Sequence, residues 1–156
     1  MKNFVVGIAM IALSWQVTLL CLLTFPLLFL ASAAACLVAG VAMGIGMGIA
    51  HNFQLAPVHG HTNLVGWTSL ALMGLTFRAW PELATGRLAV AQFVLSAGSA
   101  FALPLGIYLA VMHEQPGLAI VAGIVWFIGA LLFLARLLRL AFRHDLARKP
   151  AVLPAE

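Results

Sequence analysis

Residues 27–50 read LLFLASAAACLVAGVAMGIGMGIA, twenty-four consecutive residues without an acid, a base or a proline, and the residue that follows is His51. A helix rises 1.5 Å per residue, and the hydrocarbon of a bilayer is about 30 Å thick, so about 20 apolar residues suffice to cross it. The stretch therefore predicts a transmembrane helix. Three more follow it, over His61–Trp80, Leu88–Met112 and Leu118–Phe142. The links between them carry turn chemistry: His51–Gly60 contains Pro57, Pro81–Gly86 follows Trp80, and Glu114–Gly117 contains Pro116. Links this short force neighbouring spans to run antiparallel. The reading is an all-α integral membrane four-helix bundle.

Composition points the same way. Of 156 residues 64% are hydrophobic and only 8% charged, with a mean hydropathy of +1.12. A soluble domain carries roughly 25% charged residues, so this chain lacks the means to cover itself with a polar surface. The formal net charge of +4 does not point to nucleic acid, because the basic residues sit at helix ends and in the tail. Cys21 and Cys36 lie in apolar runs, where a thiol is a small buried hydrophobe, and no CxxC or Cys/His cluster supports a disulfide framework or a thiolate metal site.

Upstream, Phe4–Phe25 is also long enough to cross, separated from the next span by Thr24–Pro26. It reads as a fifth N-terminal transmembrane helix, an interfacial helix or a targeting segment. Ala31-Ser32-Ala33 resembles a leader cleavage site, but the run exceeds the 7–15 apolar residues of a signal peptide. The chain thus divides into a hydrophobic segment over 1–26, a four-helix membrane domain over 27–142 and a basic tail over 143–156.

Antiparallel packing sorts the links to two ends. One end collects Arg78, Arg87, Arg136, Arg139, Arg143, Arg148 and Lys149; the other has no Lys or Arg between Ala50 and Gly60 or between Met112 and Gly117. The positive-inside rule puts the arginine end and the C-terminus in the cytoplasm and the other end outside. Lys2 would then start outside if the first segment crosses, and cleavage as a leader would invert that layout. Gly40, Gly44 and Gly48 recur every fourth residue, as do Gly98, Ala102 and Gly106, a spacing that lets helix backbones approach closely.

The five histidines are placed unevenly. His51 ends one span, His59 and His61 begin the next, and His113 ends the third, so four imidazoles converge at the outward end. His144 stands alone among the arginines. One imidazole at a boundary is commonly structural, but four from three helix ends point to function, because ionisable groups there are costly. Two steps along a helix turn about 200°, so His59 and His61 serve different faces, unless His59 precedes the helix and folds over its mouth. One inward imidazole from this span, with another from His113 or His51, suits bis-histidine ligation of a b-type haem, with Glu114, Asn63 or a backbone carbonyl holding the second ring nitrogen. The same four side chains suit copper or zinc. Trp67, Phe77 and Trp80 read as packing or interfacial aromatics that would border a porphyrin. Ser14, Gln16 and Gln92 read as interhelical hydrogen bonders.

The string His61-Thr62-Asn63-Leu64, with Gly66-Trp67, Gly74 and the ending Phe77-Arg78-Ala79-Trp80-Pro81, resembles the second helix of the haem–copper oxidase catalytic subunit, especially its nitric oxide reductase and cbb3-type branches. The wider pattern from Gly46 to His61 resembles short stand-alone membrane proteins classed as cytochrome oxidase subunit I-like. The resemblance covers roughly Leu27 to Arg139. It implies that His61 is an axial ligand of a low-spin haem b, in a bacterial inner membrane and a respiratory or denitrification setting. The family's paired histidines for a second haem and its copper-site histidines have no counterpart here, which argues against oxygen reduction by this chain alone. The helix that brings the family's second ligand has none either, so His113, His51, His59 or a neighbouring protomer would replace it. Expected partners are the bilayer, respiratory-chain proteins and a second copy of the chain; a metal-handling or oxidase-assembly role and a purely structural subunit are the alternatives.

Overall fold

The computed structural model describes residues 24–143 with their side chains and carries helical backbone from Lys2 to Arg148. Ser14, Gln16, Cys21, His144 and the tail from 149 lie outside the fully described residues. The order is α1 (Lys2–Ala50), α2 (Ala56–His61), a π-helix (Thr62–Ser69), α3 (Leu70–Ala79), a 3-10 turn (Pro81–Ala84), α4 (Gly86–His113) and α5 (Gly117–Arg148). No strand occurs among the described residues. The bundle is all-α and of membrane type. The segments Thr24–Ala50, Gly86–His113 and Gly117–Arg143 are each long and apolar enough to cross a bilayer. Between the first two of these, α2, the π-helix and α3 run end to end as one rod over Ala56–Ala79.

Two sequence expectations need correction. Thr24–Pro26 is not a break: α1 runs through with Pro26 inside it. Proline is tolerated within membrane helices, where neighbouring groups satisfy the backbone carbonyl it frees. The second rod also starts five residues earlier than the expected His61. Pro57 falls in its first turn, where a missing N–H costs nothing, so His59 lies inside the helix rather than folding over its mouth. The preceding link shrinks to five residues, tightened by the Gln54 N–H donating to Asn52 Oδ1 at 3.0 Å.

The π-helix has a cause in the packing. Val58, Thr62, Gly66, Leu70 and Gly74 are all buried and recur every fourth residue. On an α-helix a stripe of period four drifts by about 40° each turn. Widening the turns over Thr62–Ser69 offsets that drift and keeps the stripe toward α1.

α1 pairs antiparallel with the second rod, and α4 with α5. The apolar core lies toward the arginine end. There Phe29 meets Phe77 and Phe93 edge-on, each at 5.1 Å between ring centroids, over Leu70, Ala97 and Ala100. The outer surface is the reverse of a soluble protein's: Val38, Ile49, Phe127 and Phe142 are among many exposed large apolar side chains, and only 11% of the most apolar window of α5 is buried. Patches of that extent require lipid or protein to cover them.

The two small-residue stripes are used unequally. A Cβ on Gly40 would lie 2.7 Å from Asn63 Cγ, and one on Gly44 would lie 3.0 Å from His59 Cε1; Gly48 faces open space. The stripe on α1 therefore makes room for polar side chains rather than for a second backbone. In α4 the Gly106 position abuts the backbone of Leu118 and Ala119, whereas Gly98 is open.

Candidate functional site

At the histidine end, two glycines of α1 form a notch that α2 and the π-helix fill. Half-buried His59 donates from Nδ1 to the carbonyl of Gly40 at 2.9 Å. A carbonyl accepts only, so this bond puts the proton on Nδ1. Asn63, one turn on, donates from Nδ2 to the His59 carbonyl at 2.9 Å and lies 3.4 Å from the ring. Of the two helical histidines, His59 is the inward one. Packed against Gly44, it leaves no space for a porphyrin between itself and α1.

His61 takes the opposite face and is exposed. Its Nδ1 donates to the carbonyl of Pro57 at 2.8 Å, one turn back. In the neutral ring that bond fixes the tautomer, so Nε2 carries the free lone pair. This is the outer-shell arrangement of a metal-binding imidazole, whose second nitrogen is held by a carbonyl. The π-helix begins at the next residue, and such interruptions recur at functional sites.

The remaining two do not join them. His51 is exposed at φ 48°, the left-handed residue that ends α1. His113 is exposed in the last turn of α4, its ring edge-on to Tyr108 at 6.0 Å. Glu114 follows at φ 57° and turns the chain toward α5. Among the described residues no hydrogen bond or ring contact links any two of the four histidines, and no three His, Cys, Asp or Glu are grouped to hold a metal. A bis-histidine haem pocket within one chain does not fit this arrangement. His61, with its Nε2 open on an exposed face, stands apart from the other three.

Sequence reading passed over a second feature at this end. Met43, Met47 and Met112 line one open cavity of about 340 Å³ between α1 and the end of α4, with Asn52 and Gln54 at its rim. The signal was present: Met43 and Met47 stand at i and i+4 on one helix face, and Met112 precedes His113.

At the arginine end Arg136 is buried, 7% exposed, although its spacing read as a topology signal. Its guanidinium donates to the carbonyls of Leu88 (3.3 Å) and Leu83 and lies 5.0 Å from the centre of the Phe77 ring. Phe77, rather than bordering a cofactor, packs between Phe29 and this cation. Gln92 has the expected interhelical role: fully buried, it donates to Gly129 O on α5 at 2.9 Å and to Ser96 Oγ at 2.8 Å. Its Oε1 has no partner among the described residues.

No family model, curated protein or solved structure matches the chain.

Proposed function

We propose that this protein is a small membrane cytochrome, in which His61 gives one axial ligand to a b-type haem and a second copy of the chain gives the other. The observation that carries the reading is the His61 ring, its Nδ1 tied to Pro57 O and its Nε2 left open on an exposed face. The haem would supply a reversible one-electron change at iron, suited to electron transfer or to sensing a diatomic gas in a respiratory membrane. The chain supplies an imidazole oriented by its bond to Pro57 O, and apolar helix faces. Its lack of a copper-site histidine set argues against oxygen reduction by this chain alone.

The test is a reduced-minus-oxidised visible spectrum of detergent-purified protein made with adequate haem. Sharp b-type bands are expected in the wild type and in His59→Ala, and none in His61→Ala. A colourless wild type, or bands that survive His61→Ala, would sink the reading.

A second reading is favoured by the methionine cavity: copper handling, with the metal as Cu(I). Soft thioethers select Cu(I) over zinc, and three of them share one cavity beside His113 and His51 in the sequence. Anaerobic titration of Cu(I) against a chromogenic chelator separates this from the first reading. One equivalent should bind per chain, at least about tenfold more weakly after Met43→Leu with Met112→Leu, a loss of about 1.4 kcal/mol. Equal affinity in wild type and variant would rule the cavity out.

A further inference from the structure

The arginine end contains a second cavity, of about 380 Å³, between the start of α4 and the last turns of α5. Among the described residues Arg87, Arg136, Arg139 and Arg143 line it with one acid, Glu82, a formal balance of three positive charges by subtraction. Spacings of three and four along α5 put Arg136, Arg139 and Arg143 on one face, and Arg87 approaches from α4. Among the described residues no hydrogen bond or ion pair engages the side chains of Arg87, Arg139 or Arg143. Arg136 is held by two carbonyls, which accept its protons without cancelling its charge. Four like charges brought to one concave site repel one another, and an anion relieves that repulsion more effectively than water does.

The rest of the lining narrows the ligand's chemistry. Leu83, Leu88 and Leu140 give the cavity an apolar side, and Leu88, 47% exposed, is one of the apolar side chains that lipid or protein must cover. α4 begins at the same place, with Thr85 giving no side-chain cap and Gly86 at φ 75°. The positive end of that helix adds to the arginines' attraction for an anion. Guanidinium forks match phosphate oxygens in pairs, and basic pockets between membrane helices suit anionic headgroups. From this geometry we infer that the cavity is a phosphate-binding site, filled by the phosphodiester of an anionic phospholipid or by free phosphate.

Native mass spectrometry of the full chain tests this, with titration by phosphatidylglycerol, phosphatidylcholine and inorganic phosphate in separate arms. Arg139→Gln and Arg143→Gln remove cavity charge without removing a hydrogen bond found among the described residues. Arg78→Gln is the control: it is exposed at the same end, removes the same charge and does not line the cavity. At about fivefold for each arginine, the double variant should hold the anion about twenty-five-fold more weakly. Arg78→Gln should change it less than about twofold. Preference for phosphatidylglycerol over phosphatidylcholine identifies the lipid as the source, and saturable binding of inorganic phosphate identifies the free anion. Binding of neither anion, or an equal loss in Arg78→Gln and Arg139→Gln, overturns the inference.

Discussion

Arg136→Met is expected to destabilise the bundle by about 3 kcal/mol, measured by titrating purified protein from mild detergent into SDS. The guanidinium joins three elements: it donates to Leu83 O in the 3-10 turn and to Leu88 O in the first turns of α4, and covers the Phe77 ring of α3. A hydrogen bond to a charged group contributes about 1.5–3 kcal/mol, and a desolvated cation over a ring about 2. Against this stands the cost of keeping a cation out of water, which makes many buried ion pairs no better than an apolar replacement. That comparison assumes both partners are replaced. Here the acceptors are backbone and remain, so methionine fills the space and leaves Leu83 O without its donor, while Leu88 O keeps only its bond within α4. Arg136→Lys keeps the charge and, without the guanidinium fork, one of the two hydrogen bonds, and should recover roughly half the loss. Wild-type stability in Arg136→Met would show that the guanidinium does not clamp these elements.

Gly106→Ala should cost about 2–3 kcal/mol by the same assay, near the upper end of the range for overpacking. A Cβ there would meet Ala119 Cα at 2.7 Å and Leu118 C at 2.8 Å, and these are backbone atoms with no rotamer to yield. The link closing α4 onto α5 is short, bonded from Gln115 N to Leu109 O at 3.2 Å, so the helices cannot move apart there without opening the turn. Gly98→Ala in the same helix is the matched control. A Cβ at Gly98 meets nothing within 4 Å, so the change should be neutral or stabilising by up to about 1 kcal/mol, the usual gain of alanine over glycine in a helix. Equal effects at the two positions would refute the packing argument.

The spans were legible because uninterrupted apolar length is a one-dimensional property. Leu88–Met112 and Leu118–Phe142 fall within a few residues of α4 and α5. Starts and breaks were harder to read. Pro57 opens a helix and Pro26 sits inside one, and the difference depends on which carbonyls neighbouring elements satisfy. The histidine end was legible as a collection of residues but not as a geometry. Only the notch at Gly40 and Gly44 decides that His59 turns inward and His61 outward. Arg136, Arg139 and Arg143 looked alike in sequence, and the Phe77 ring together with two carbonyls sets the first apart.

The π-helix after His61 also bears on chain length. Each of its turns takes in one residue more than an α-helical ladder needs, so the rod carries a local surplus in the middle of the bundle. Losing one residue there would close the ladder to α-helical bonding without leaving a backbone group unpaired. The rotation of about 100° that a lost residue gives a regular α-helix is already taken up by the wider turns, so His59 and Asn63 would keep their notch and Phe77 its place. The rod can shed a residue here without turning one end of the molecule against the other.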